Sequence, residues 1–244
     1  MPGYQVKQEQ IAIVGAADLV IRSLLDRQQF ADPLGEAERV GISSAAWPLF
    51  GLVWPSGVQM AGRLAARLLA RGVRPGERIL EVGCGLALAS LVGHRAGADV
   101  TASDCHPLAG AFVAANLRLN GLPPMKYRHG DWVDAPDGRG LPARTAEPAL
   151  QGRFDLIIGS DVLYERDVTA GLAGFIGRHA QQAVEVWIVD PDRSNRPAFN
   201  RKMRDAGFVL REERLDCPAH DGTAAYKGRL LVYLRDAAAE PAAA

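Results

Sequence analysis

Apolar and polar positions along the chain change period several times, and the changes mark out its elements. Ile11-Ala12-Ile13 alternates, Gly15-Ala16-Ala17-Asp18 breaks the pattern, and Leu19-Val20-Ile21-Arg22 alternates back. That order predicts a small β-hairpin, with a short helix as the rival. Asp32-Pro33-Leu34-Gly35 reads as a turn, and residues 31–46 read mostly as loop. Between Gly57 and Arg71 the period becomes helical: Met60, Leu64 and Leu68 repeat every fourth residue, and Gly72 follows. From there, short apolar runs alternate with helical stretches. Strands are predicted at Arg78–Val82, Asp99–Ser103, Lys126–His129, Phe154–Gly159 and Val184–Val189. Helices are predicted at Leu88–Arg95, from Pro107 to Asn120-Gly121, from Val168 to Arg178, and from Ala198 to Ala206 before Gly207. Phe208–Leu215 and Tyr226–Leu234 close the series as antiparallel strands at a sheet edge.

Strands alternating with helices imply a mostly parallel sheet covered on both faces, with right-handed connections. The predicted class is α/β: a Rossmann-like, doubly wound, seven-stranded, mostly parallel sheet with an antiparallel strand at one edge, plus a small N-terminal cap. The cap spans 1–46, the main domain 47–235, and an Ala-rich tail expected to be disordered spans 236–244. Residues 134–152 hold Pro136, Pro142, Pro148 and several glycines without periodicity. They read as a long loop and a candidate lid.

The densest chemistry lies in Glu81-Val82-Gly83-Cys84-Gly85-Leu86 and in Asp104, 21 residues past Gly83. Two glycines let a ligand approach the backbone, and the helix after them offers free N–H groups. Asp104 ends the next strand, where its two oxygens suit a ribose. A dinucleotide site wants a third glycine, but Leu88 stands there, and Glu81 repels a diphosphate. That lowers a nicotinamide dehydrogenase. S-adenosylmethionine, a cation with a ribose and no phosphate, fits.

Here the chain resembles the seven-strand (class I) S-adenosylmethionine-dependent methyltransferases. Further motifs are Trp47-Pro48, Val53-Trp54-Pro55-Ser56-Gly57, Asp131-Trp132 and Gly159-Ser160-Asp161-Val162-Leu163-Tyr164-Glu165. They are similar to those of the methyltransferase-like protein-lysine methyltransferases, a branch also called nicotinamide-methyltransferase-like (family 16). The resemblance implies cofactor contacts at Trp54, Glu81, Gly83, Cys84, Gly85, Leu86, Asp104, Cys105, Asp131, Trp132 and, through its backbone, Ser160. Asp131 would accept from the adenine amine and Trp132 would stack on its ring. Ser56 is expected as a helix cap, Trp47 as packing, and His106 as a cap at Pro107. Asp161 and Tyr164 are the expected catalytic pair, holding the acceptor at the end of the fourth strand. Asp190-Pro191-Asp192-Arg193 resembles the Asp-Pro-Gly-Arg element of the branch acting on the electron-transfer flavoprotein β subunit, with Asp192 in place of glycine.

The expected activity is N-methyl transfer to a protein lysine side chain. The rival is transfer to a small-molecule amine or a nicotinamide-like pyridine; a third reading is a cofactor-binding fold without activity. Composition changes little. The 244 residues carry 28 basic and 28 acidic side chains, so no net field recruits nucleic acid. Cys84, Cys105 and Cys217 lack zinc-site spacing, the histidines are scattered, and no metal is expected. No apolar run spans a membrane and Met1–Gln10 lacks a signal-peptide core, so a cytoplasmic protein is expected.

Overall fold

The computed structural model describes residues 4–132, 147–164, 166–219 and 225–237, the side chains of 166–170 excepted. Most of the proline-rich loop expected as a lid (133–146) and most of the expected tail (238–244) lie outside the described residues.

The N-terminal hairpin is present. β1 (Val6–Ile11) pairs antiparallel with β2 (Leu19–Leu24), Val6 opposite Leu24 and Ile11 opposite Leu19. The stretch expected as loop holds one helical turn, α1 (Glu36–Arg39). The Asp32 carboxylate accepts from the N–H groups of Glu36 (2.9 Å) and Glu38 (3.0 Å). 3₁₀ turns follow at Ser44–Ala46 and Leu49–Gly51. Elements this short do not complete an apolar repeat, so periodicity does not reveal them.

α2 (Pro55–Arg71) starts two residues before the expected Gly57, because Pro55 sets the first helical φ. Trp54, not Ser56, takes the cap position. The Ser56 hydroxyl instead meets the Tyr226 hydroxyl at 2.9 Å in the interior. Met60 and Leu64 are fully buried, and the Gly72 N–H returns to the Leu68 carbonyl.

Then come β3 (Arg78–Val82), α3 (Leu88–Arg95), β4 (Asp99–Asp104), α4 (Ala109–Leu119), β5 (Lys126–His129), β6 (Phe154–Ser160), α5 (Arg166–His179), β7 (Ala180–Asp190), α6 (Arg196–Asp205), β8 (Val209–Arg214) and β9 (Arg229–Arg235). The sheet order is β5-β4-β3-β6-β7-β9-β8. β5 through β7 run parallel, and β9 runs antiparallel to both β7 and β8. The antiparallel strand therefore lies one place in from the edge, with β8 outermost.

Strand residues feed two apolar layers in alternation, as the two-residue period requires. Ile79, Leu156, Ile158 and Trp187 face the layer with α2, α3 and α4, whereas Leu80, Ile157, Val186 and Ile188 face the layer with α5 and α6. Leu19, Ile21 and Leu24 of the hairpin join the first layer, so the cap shares the domain's core. Asn116 accepts from the Arg22 N–H at 2.8 Å, and the Asn120 amide pairs with both backbone groups of Val20. The neighbour order reverses between β3 and β6. In such sheets that switch point opens a crevice at the strands' carboxyl ends.

Candidate functional site

A cavity of about 620 Å³ opens at that switch point. All thirteen residues singled out from the sequence line it: Trp54, Glu81, Gly83, Cys84, Gly85, Leu86, Asp104, Cys105, Asp131, Trp132, Ser160, Asp161 and Tyr164.

Its floor is backbone. Gly83 has φ +58° and Gly85 φ +49°. A Cβ on Gly83 would lie 2.9 Å from the Trp132 ring and from Val162; one on Gly85 would lie 2.7 Å from the Phe50 carbonyl oxygen. Conformation and space both demand glycine. The Asp104 carboxylate is buried at the end of β4. Its Oδ2 accepts from the Gly85 N–H and its Oδ1 from the His106 N–H, each at 2.8 Å. Burial raises its pKa, and those N–H groups partly offset the rise. Glu81 is buried beneath the turn, where Ser90 donates to Oε2 from its N–H (2.7 Å) and its hydroxyl. Burial pushes its pKa up to about 7.

Its roof comes from residues 40–52, where the expected cap meets the main domain. Val40–Ser43, Ala46, Leu49, Phe50 and Leu52 line the cavity. Two indoles tie this segment together: Trp47 donates to the Ile42 carbonyl (2.9 Å) and Trp54 to the Leu49 carbonyl (2.8 Å). Phe50 stacks on His106, with ring centroids 3.7 Å apart. The helix expected from Pro107 begins at Ala109, with Leu108 at its cap position and no side-chain cap, so His106 does not cap it. The His106 Nδ1 instead accepts from the Leu108 N–H at 3.2 Å in the preceding turn. Burial drives its pKa down to about 3, so the ring is neutral.

The wall at the ends of β6 and β7 is built from charged side chains. Asp161 has φ +54°, uncommon for a residue with a Cβ. Its N–H donates to the Val189 carbonyl at 2.8 Å. Arg193 grips its carboxylate with two bonds, 2.8 Å from Nε and 3.0 Å from the second nitrogen. Asp190 Oδ1 accepts from the Arg193 N–H at 2.8 Å, and Asn195 donates to the Leu163 carbonyl at 3.0 Å. Tyr164 is 40% exposed at the mouth.

No protein-family model matches the chain. Among curated proteins it is 26% identical over 184 residues to an electron transfer flavoprotein beta subunit lysine methyltransferase of Mus musculus, covering 74% of this chain and 64% of that protein. It is 30% identical over 164 residues to a ribosomal protein L11 methyltransferase of Thermus thermophilus, covering 67% of this chain and 58% of that one. The chain thus spans under two thirds of the length of each. A solved methyltransferase from Pyrococcus furiosus superposes with a TM-score of 0.52 and 18% identity, over 83% of this chain and all of that one. The chain has the class I methyltransferase fold. Its sequence relatives are methyltransferases too.

Within that fold, sequence reasoning missed Arg193 as a site residue, although its motif was in view. Only the structure shows that Arg193 reaches Asp161, 32 residues earlier. Arg27, Phe50, His106 and Gly171 were missed as lining too. The departure at Asp192 has a structural account. Its φ of +62° is the conformation that glycine adopts freely. Its carboxylate pairs with Arg196, Arg214 and Arg229, which hold its pKa down to about 2.

Proposed function

We propose that this protein transfers a methyl group from S-adenosylmethionine to the side-chain nitrogen of a lysine in a protein. The observation that carries the reading is the gathering of the glycine turn, Asp104, Asp161 and Tyr164 around one cavity. The volume suits a nucleoside-sized ligand with room for an acceptor group. The named actions of the relatives, on a flavoprotein subunit and on a ribosomal protein, favour a protein acceptor.

The residues present fit the cofactor. Asp104 would accept from the ribose hydroxyls with the lone pairs its two N–H bonds leave. Gly83, Cys84, Gly85 and Leu86 would give its backbone a close approach, and Glu81, which also lines the cavity, would favour its cationic part. Trp132 and Asp131 would take the adenine, with Trp54, Cys105 and Ser160 on the remaining sides. When bound, the cofactor supplies an electrophilic methyl group on a sulfonium.

The chain's own task is then placement. Tyr164 supplies an aromatic face beside the acceptor. Asp161 supplies a carboxylate fixed in place by Arg193 on both oxygens. The acceptor's proton leaves to water.

The deciding experiment is incubation of cell lysate with the protein and methyl-labelled cofactor. Label recovered as methyl-lysine from a discrete protein band is the expected outcome. Label confined to the small-molecule fraction would replace this reading with its rival.

A further inference from the structure

The acceptor wall carries an unusual charge arrangement. Asp161 is nearly buried, with 9% of its side chain exposed, and Arg193, 40% exposed, lies on its solvent side. An acceptor entering from the mouth meets the guanidinium together with the carboxylate. Among the described residues, the neighbouring acids Asp190 and Asp192 do not line the cavity. Asp192 is taken up by Arg196, Arg214 and Arg229. Asp190 is fully buried, lies outside the cavity lining and accepts from the Arg193 N–H. The Tyr226 hydroxyl, behind the same loop, is held by Ser56 and pushed up to about 12. Arg27 adds a cation on the cap's side of the cavity. The carboxyls of Glu81, Asp104 and Asp131 line its cofactor side.

We propose that Arg193 is a positioning residue that sets the charge state of the acceptor. By cancelling the Asp161 charge, it makes the wall favour an uncharged amine over an ammonium. The idea rests on the N-methyltransferase reading above and supplies what that chemistry lacks. An ammonium has no lone pair, and a lone carboxylate beside it would hold its proton on. With Arg193 paired, Asp161 keeps its orientation at φ +54° without that penalty.

The test is the pH profile of methyl transfer to lysate protein, read as labelled methyl-lysine from about pH 6 to about pH 10, the range over which lysine gains its free amine. Arg193→Gln leaves Asp161 unpaired. Its acid limb is expected to move up by about one pH unit, as an uncompensated carboxylate stabilises the ammonium. Arg193→Lys is expected to return the limb to its wild-type position. Calorimetric affinity for S-adenosylmethionine should be unchanged in both, which separates this role from loss of structure. If Arg193→Gln does not fold, Arg193→Met keeps the aliphatic stem and serves instead. Superimposable limbs for wild type and the neutral variant would overturn the proposal and leave the reaction standing. Wild-type protein that binds cofactor yet yields no methyl-lysine would overturn the N-methyltransferase reading itself.

Discussion

The ends of β3 and β4 and the ends of β6 and β7 border the same cavity, yet they are made by different means. On the first side the positions are set by backbone: two glycines with positive φ, and N–H groups aimed at Asp104. Charge there is muted, with Glu81 raised to about 7 and Asp104 also raised. On the second side two non-glycine residues with positive φ, Asp161 and Asp192, are held by guanidinium groups from other segments. A backbone surface is stiff and suits an invariant ligand. A wall of half-exposed ion pairs tolerates exchange, which suits an acceptor.

This contrast breaks hardest at the glycine turn. Gly85→Ala places a Cβ against the Phe50 carbonyl and strains φ. It is expected to cost about 2 kcal/mol of stability and, by shifting the turn, at least about 100-fold in cofactor affinity, read by urea unfolding and calorimetry. Asp104→Ala leaves two buried N–H groups without an acceptor, at about 1–3 kcal/mol each. Calorimetric binding of S-adenosylmethionine should vanish, and undiminished affinity would remove Asp104 from the ribose. Across the cavity the expectation reverses. Asp161→Asn, which tolerates the same φ, should keep cofactor affinity while kcat falls by about 100-fold.

Smaller effects sharpen the distinction. Glu81 holds its proton more tightly folded, at about 7, than at the ordinary 4.5. Its contribution to stability is complete below the lower value and lost as pH rises through the upper one. Unfolding free energies from urea titrations at about pH 5 and about pH 8 should therefore differ less in Glu81→Gln than in wild type, by on the order of 2 kcal/mol. Asp192→Gly gives up ion pairs worth about 0.2–1 kcal/mol each but relieves a left-handed φ costing about 1 kcal/mol. Its net stability change should stay within about 1 kcal/mol and shift in the variant's favour in about 1 M salt. A large loss would show that the arginine cluster carries the loop.

The legible parts of the fold were those encoded locally. Met60, Leu64 and Leu68 announce α2, and Leu88–Arg95 was placed to the residue. Gly83, Gly85 and Asp104 were legible because a turn and a strand end dictate residue type directly. The missed features depend on distance along the chain. Ser56 looks like a cap until Tyr226, 170 residues on, takes its hydroxyl. Arg193 looks like part of a turn until its partner is seen. The roof escaped because residues 40–52, which straddle the expected boundary between cap and main domain, show no period.

The contact between Gly85 and the Phe50 carbonyl joins floor and roof where the missing Cβ would sit. A truncated protein beginning at Pro55 would retain all seven strands of the large sheet but expose the glycine turn to solvent. Shortening from the N-terminus is thus a poor route to a minimal ligand-binding domain. Grafting a different leader onto the sheet would reshape the ceiling above the ligand and leave every residue of the floor in place.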